Sequence, residues 1–309
     1  MSKKQTTSHL FMVRPANFGF NDQTAESNAF QTNDPSNTKK EIKEMAREEF
    51  DNFVAKLRSN GINVIVGEDS EEPKKPDAVF PNNWITSHTN GLIITYPMFA
   101  PARRREIDDR FIHQIGEEFE IMGRIHLETF EKKDLFLEGT GSMIFDRIHQ
   151  IAYACLSPRT DEKLFDKFCN VVSAKPVAFK SVDGNGQPIY HTNVMMAMGD
   201  TFVVICLDTI RDKADLKKLK KNFKKTKKEI IDISLDQMLS FAGNMLQVEN
   251  EEGKTFLVMS EQAYQSLRPE QITQIEKHTN ILYSPIPTIE TYGGGSARCM
   301  MAEIFLEKN

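Results

Sequence analysis

The chain has 309 residues, 39% hydrophobic and 27% charged, which is enough apolar material for a substantial core. Its formal net charge of −5 argues against a general nucleic-acid binder, which needs dominant positive charge. No apolar run reaches the roughly 18 residues of a membrane span, and the polar stretch from Met1 to Ser8 lacks the core of a secretory signal. A cytoplasmic protein that binds neither nucleic acid nor membrane is therefore expected.

In chain order, residues 11–21 carry Arg14-Pro15 and Asn17-Phe18-Gly19-Phe20 and read equally as a fixed first strand and turn or as a mobile lid. Residues 39–59 place Ile42, Met45, Ala46, Phe50, Phe53, Val54 and Leu57 on one helical face, and Asn60-Gly61 offers a left-handed stop. Strands are predicted at 63–66, 91–96, 151–156, 201–207, 255–259 and 302–306, and helices at 103–119, 161–172, 212–221 and 269–277. Residues 213–228 carry nine lysines without interleaved aromatics and read as a solvated helix and loop. No low-complexity linker interrupts the chain, so a single domain spanning 1–309 is expected; a homo-oligomer is compatible with the sequence.

Five loops show a further regularity. They are Phe80-Pro81-Asn82-Asn83-Trp84, Leu137-Glu138-Gly139-Thr140-Gly141, Tyr190-His191-Thr192-Asn193, Phe241-Ala242-Gly243-Asn244-Met245 and Gly293-Gly294-Gly295-Ser296-Ala297-Arg298-Cys299. With Asn83, Glu138, Asn193, Asn244 and Cys299 as markers, the spacings are 55, 55, 51 and 55 residues. Such a period points to repeated supersecondary units around an axis, each sending one polar loop to a common centre. Five evenly spaced Gly/Asn turns without that meaning are the alternative.

Three of the four cysteines, Cys155, Cys169 and Cys206, sit in apolar runs and read as core thiols; no CxxC pair or zinc-ligand spacing occurs. Cys299 follows three glycines, Ser296, Ala297 and Arg298, and reads as a nucleophile in a close-approach loop or as the start of the last core strand. Arg298 is a candidate to hold a thiolate, although neighbouring side chains on a strand point to opposite faces. His191 is a candidate base near neutral pH or a structural histidine at a strand edge. Glu138, bounded by Leu137 and Gly139, suits either the orientation of a base or an ordinary surface turn. His9, His88, His113 and His278 read as solvated. Arg103, Arg104 and Arg105 could bind a carboxylate or simply form a solvated face.

Together these segments resemble the guanidine-modifying enzymes: arginine deiminases, dimethylarginine dimethylaminohydrolases, amidinotransferases and succinylarginine dihydrolases. The resemblance rests on Asp77-Ala78-Val79-Phe80 with its following amides, on Leu137-Glu138-Gly139, on His191-Thr192-Asn193, and on the stretch from Gly294 to Met300. It covers nearly the whole chain in the correct order. It implies a five-fold pseudosymmetric α/β propeller, the pentein fold, that needs no metal or organic cofactor. By the same resemblance Cys299, His191 and Glu138 match nucleophile, general base and acidic partner. Asp77 matches a substrate-binding aspartate, and Arg103 and Arg159 match residues that hold an α-carboxylate. Where arginine-handling members carry acids, this chain has Asn82, Asn83 and Asn193. Amides suit a neutral ureido group better than a guanidinium. The chain is thus similar to a citrulline-utilization hydrolase subgroup, and hydrolysis of citrulline to ornithine, ammonia and carbon dioxide is expected. The alternatives are arginine deiminase, dimethylarginine hydrolase, amidinotransferase, or a silent propeller that only binds.

Overall fold

The computed structural model describes residues 4–25 and 28–309. Its strands are β1 (His9–Arg14), β2 (Asn63–Glu68), β3 (Ile85–Ser87), β4 (Leu92–Thr95), β5 (Gly123–His126), β6 (Ile144–Asp146), β7 (Ile151–Cys155), β8 (Lys175–Phe179), β9 (Met196–Met198), β10 (Phe202–Ile205), β11 (Glu229–Asp232), β12 (Leu246–Glu249), β13 (Thr255–Ser260), β14 (Asn280–Ser284) and β15 (Ala302–Glu303). The crossover helices are α1 (Lys39–Ser59), α2 (Asp109–Glu118), α3 (Glu162–Val171), α4 (Lys213–Lys225), α5 (Glu261–Ser266) and α6 (Pro269–Glu276).

These elements repeat one plan five times. In β3-β4-β5, β6-β7-β8, β9-β10-β11 and β12-β13-β14, a short strand pairs antiparallel with the middle strand. The middle strand then crosses through helix to a parallel partner. The remaining sheet, β15-β1-β2, has the same plan assembled from both ends of the chain. There β1 runs parallel to β2, while β15 pairs antiparallel with β1 through Leu10↔Glu303 and Phe11↔Ala302. The short strands of neighbouring units touch, β6 on β9, β9 on β12 and β15 on β3, which places them around the axis. Middle strands such as β7 and β10 are buried along their whole length, as expected of strands covered on both faces.

Local chemistry explains the helices. Thr38 and Glu41 form a reciprocal capping box at the start of α1, and Ile42, Ala46, Phe50, Phe53, Val54 and Leu57 form its buried face. The helix stops where predicted, at Asn60, with Gly61 at φ +77°. The helix predicted over 103–119 is instead two pieces. A single turn at Arg103–Glu106 ends at Ile107, and the Asp108 side chain then caps α2 by accepting from the Arg110 N–H. Helix-capping chemistry outweighed apolar periodicity there.

Three further expectations need correction. Residues 213–228 are not uniformly solvated: Leu219, Asn222 and Phe223 are buried on α4. Lys228 is buried too, because its ammonium donates to the carbonyls of Gly199 and Asp200 and faces Asp146 at 3.6 Å. His88 is buried and bonded to Thr86, and burial pushes it down to about 3. The strand predicted at 302–306 is shorter, yet Ile304, Phe305 and Leu306 remain buried. Of residues 11–21, those up to Arg14 belong to β1, and the turn beyond buries Phe18 and Asn21. Among the described residues no helix is long and apolar enough to cross a membrane.

Candidate functional site

Each polar loop lies immediately before the short axial strand of its unit. Pro81–Asn83 precedes β3, Gly139–Ser142 precedes β6, Thr192–Met195 precedes β9, and turns at 241–244 and 297–300 precede β12 and β15. Because the five strands are equivalent around the axis, the loops meet at one end of it. Gly141 shows how tightly: a Cβ there would stand 2.4 Å from Asn83 Nδ2 and 2.7 Å from His191 Nδ1. Only glycine lets these three loops touch.

Cys299 is 4% exposed, and its Sγ accepts from Asn193 Nδ2 at 3.2 Å and Asn244 Nδ2 at 3.3 Å. Asn244 also donates to the Asn193 carbonyl at 2.9 Å, so one amide braces the other. The Cys299 N–H donates to the Ser296 carbonyl at 2.9 Å, and Tyr190 Oη donates to the Gly294 carbonyl at 2.8 Å, holding the glycine loop. Arg298 does not face the sulphur. It turns to the Met301 carbonyl and Glu303, within the turn at 297–300 that carries the cysteine.

Glu138 is fully buried, and its Oε2 lies 2.7 Å from His191 Nε2 and 3.5 Å from Arg159 Nη1. Burial alone would raise this carboxyl, but Arg159, the His191 hydrogen bond and Arg103 outweigh it and hold it at about 2. Burial also dominates at His191, pushing it down to about 4 against the pull of Glu138. An ionised carboxylate can only accept, so Nε2 carries the imidazole proton and the basic lone pair sits on Nδ1. The other Glu138 oxygen accepts from the Phe99 N–H at 2.8 Å. The result is a neutral, oriented imidazole.

Arg103 is 3% exposed and surrounded by acceptors. Its Nε and Nη2 donate to the two oxygens of Glu106, each at 2.8 Å, and Nη1 donates to Asn83 Oδ1 at 2.7 Å. Asp77 Oδ2 accepts from Asn21 Nδ2 at 2.7 Å and lies 3.6 Å from Arg103 Nε. Burial pushes the Asp77 carboxyl up against the opposing pull of Arg103. Arg159 lies over the Tyr190 ring at 4.9 Å. A cavity of about 20 Å³ is lined by Cys299, His191, Asp77, Asn83, Arg103 and Arg159, with Thr24, Asn28 and Tyr190 also on its wall.

Of the candidate residues, Asn82 is placed apart. It exchanges hydrogen bonds with Thr140 at 3.3 Å and does not line the cavity, so it joins two loops. Asn193 meets the sulphur directly and Glu138 acts through His191. Asn244 was only a spacing marker in the sequence, yet it shares the Cys299 sulphur with Asn193. Tyr190 stood in the third loop without a role, and Glu106, Asn21, Thr24 and Asn28 carried no motif; Glu106 was legible only as an acid three residues after Arg103. Among the described residues no group of three or more His, Cys, Asp or Glu is arranged to hold a metal ion.

A sequence model of the family described as "N,N dimethylarginine dimethylhydrolase, eukaryotic" matches residues 14–306. The fold is similar to the N-terminal domain of ArgZ bound to substrate, an arginine dihydrolase from the ornithine-ammonia cycle in cyanobacteria. That match has TM-score 0.74 and 16% identity, covering 97% of this chain and 98% of that one. It is also similar to unliganded AgrE, with TM-score 0.74 and 16% identity over 96% of this chain but 39% of that one. A dimethylarginine dimethylaminohydrolase adduct with S-methyl-L-thiocitrulline gives TM-score 0.63 at 12% identity, covering 96% and 98% of the two chains. No curated protein matches the chain in sequence. These likenesses agree with the expected pentein propeller, and the five sheets give its five-fold pseudosymmetry.

Proposed function

The chain belongs to the N,N-dimethylarginine dimethylhydrolase family, a family of guanidino C–N hydrolases, and on that premise we propose that it cleaves a ureido C–N bond, converting citrulline to ornithine, ammonia and carbon dioxide. The observation that carries this reading is the pair of amides on the Cys299 sulphur, Asn193 and Asn244. A guanidinium calls for carboxylates around its reacting carbon. Here Glu138 stands behind His191 and Glu106 behind Arg103, which leaves Asp77, among the described residues, as the one carboxylate on the cavity wall.

In the proposed reaction the Cys299 thiol proton passes to His191 Nδ1 and the sulphur attacks the ureido carbon. Nδ1 returns the proton to the departing ornithine nitrogen as the C–N bond breaks, leaving an S-carbamoyl cysteine. The now neutral imidazole takes a proton from water, whose oxygen adds to the carbamoyl carbon. The C–S bond breaks, the thiol regains its proton, and carbamic acid decomposes to ammonia and carbon dioxide. Glu138 keeps the imidazole oriented throughout. This scheme uses no metal or organic cofactor and takes place in the cytoplasm on a small-molecule amino acid. The cavity is far below the roughly 300 Å³ of an ordinary ligand pocket, so the site must widen to admit substrate.

A guanidino substrate is the second reading, favoured by Asp77 Oδ1, which is buried without a hydrogen-bond partner in the residues described. Arginine processed through both guanidino and ureido stages, dimethylarginine, or transfer to an acceptor amine would each use that oxygen. Purified protein incubated separately with L-citrulline and L-arginine, with ammonia and ornithine followed, decides between the two. Ornithine from citrulline alone supports the ureido reading. Ornithine from both supports a dihydrolase, and citrulline accumulating from arginine makes the chain a deiminase.

A further inference from the structure

Resting on the reading of Cys299 as the nucleophile, we propose that Glu290 is its positioning residue: from behind the glycine loop it holds Ser296, and through Ser296 it sets where the Cys299 sulphur stands. The path from acid to sulphur is short. The Cys299 N–H donates to the Ser296 carbonyl at 2.9 Å, so residues 296–299 close one turn that begins at Ser296. The Ser296 hydroxyl donates to Glu290 Oε1 at 2.6 Å, a length typical of a hydroxyl on a carboxylate. Both residues are buried.

The glycine loop needs such a tie. Gly293, Gly294 and Gly295 have no side chains to fix them, and the packing admits none. A Cβ at Gly293 or Gly295 would stand 2.8 Å from Phe80 Cζ, and Gly294 lies at φ +61°. Glycine is the residue most free to change its backbone conformation, so three in a row leave the next turn dependent on bonds from outside the run. Tyr190 and Asn28 hold carbonyls of the glycines themselves, whereas Glu290 reaches the turn that contains the cysteine. Its own carbonyl also accepts from the Gly294 N–H at 3.0 Å, so it binds the loop twice. Glu290 is firmly seated for this. Its helix, Pro287–Gly293, buries Ile289 and Tyr292 in one cluster with Ala297 and Cys299. Glu49 of α1 accepts from the Thr288 and Ile289 N–H groups at 2.8 and 3.0 Å.

Glu290 does not line the catalytic cavity. It lies on a separate surface cavity of about 490 Å³ with Phe30, Leu239 and Phe241, on the other side of the glycine loop. For stability alone a buried acid is a poor choice, because taking a carboxylate out of water without a cation is costly. Burial pushes this carboxyl up to about 7, the Ser260 and Ser296 hydroxyls pull it down, and Glu49 pushes it further up. A protonated carboxyl keeps its carbonyl oxygen as an acceptor, so the tie to Ser296 holds on both sides of neutrality. What the turn requires is an acceptor of this reach at this place, whatever its charge.

The test compares kcat, KM and the rate of iodoacetamide labelling of Cys299 in the full chain, using whichever of L-citrulline and L-arginine the wild type turns over. Glu290→Ala frees Ser296, and kcat is expected to fall about 100-fold, the cost of a nucleophile displaced by about an ångström. KM should stay within about threefold, since the substrate's own contacts remain, and labelling should slow with kcat. Ser296→Ala is expected to match Glu290→Ala, and the double variant to be no slower than either, because both residues act through one bond. Glu290→Gln keeps an acceptor of the same reach and is expected to restore kcat to roughly a third of wild type or better. A folded Glu290→Ala with wild-type kcat and labelling overturns the proposal. So does a Glu290→Gln as slow as Glu290→Ala, or a double variant in which the two losses add. Should Glu290→Ala fail to fold, Ser296→Ala and Glu290→Gln decide by the same criteria; should neither amino acid be turned over, the labelling rates do. Cys299→Ala separates the two readings. Full turnover there overturns the nucleophile and this proposal with it, whereas no turnover there beside an unaffected Glu290→Ala overturns only the role of Glu290.

Discussion

Burial keeps His191 neutral, while Arg159, the His191 hydrogen bond and Arg103 keep Glu138 ionised against burial, and that fixes how the site responds to acid. With His191 at about 4, the imidazole is neutral across the physiological range, and the acid limb of kcat should fall near pH 4 rather than near 6.5. A pH–rate profile whose acid limb lies near 6.5 would count against a neutral buried base. Stability follows the same proton. Between pH 6.5 and 4 the unfolded chain binds a proton at this histidine and the folded chain does not, so stability falls as the pH is lowered through that window. The loss is on the order of 3 kcal/mol for His191, and His88, at about 3, acts in the same direction. Glu138, at about 2, adds stability above its ordinary carboxylate value that is lost as the pH drops toward 2. Urea unfolding at pH 7 and pH 5 checks this; equal midpoints would contradict it. Glu138→Gln keeps an acceptor for His191 but removes the negative charge beside Arg159. It should cost about 3 kcal/mol and at least tenfold in kcat, measured by denaturation and ornithine release. At this scale the motifs offered Cys299, His191 and Glu138 as candidates and the resemblance to the guanidine-modifying enzymes implied their roles; the structure brings their loops together. The sequence did not show that Arg103 is committed to Glu106 or that Arg298 faces away, since partner choice depends on side chains brought from other units.

The loops matter because of the strands they feed. The spacing of Asn83, Glu138, Asn193, Asn244 and Cys299 made the five units legible; the middle strands β4, β7 and β10 fell within the predicted ranges, and β13 runs one residue beyond its own. Strands β3, β6 and β9 did not show themselves, since each is three residues long and merges with the polar loop before it. The outer strand β5 is partly or fully exposed along its length, and so carries little apolar signal. The break at Ile107 was hidden because no glycine or proline marks it and Ile107, Phe111 and Ile115 keep a helical spacing, so only the Asp108 cap interrupts the run. Convergence of the loops yields its own prediction at Gly141. Gly141→Ala would drive a methyl into Asn83 Nδ2 and His191 Nδ1. The expected result is a fall in kcat of at least 100-fold with the fold retained, read by steady-state kinetics beside far-ultraviolet circular dichroism. Near-normal turnover would mean that the loops do not need this approach to work.

The ring as a whole is closed twice, once at each end of its axial strands. At the cavity end the loops bond to one another. At the other end the first residues of the chain stitch units together: Gln5 Nε2 donates to the Phe145 carbonyl at 2.8 Å, and Gln5 Oε1 accepts from the Arg147 N–H at 2.9 Å. Thr7 Oγ1 donates to the Ile304 carbonyl at 2.6 Å, while the Glu249 N–H donates to the Thr7 carbonyl at 3.1 Å. Unit one exists only because β15 returns to β1, so its sheet depends on residues nearly three hundred positions apart. That closure places Cys299 three residues before β15, so the nucleophile loop is held by the last strand of the ring. Truncation after Met301 would remove β15 and the buried Ile304, Phe305 and Leu306, and would leave an edge of β1 unpaired. Each buried apolar side chain of this size contributes about 2 kcal/mol, so the loss matches a large part of a domain's roughly 5–15 kcal/mol. The truncated chain should lose cooperative unfolding together with Cys299 reactivity, checked by calorimetry and thiol labelling. A truncated chain that still melts in one sharp transition with a reactive Cys299 would show that the other four units carry the site without closure.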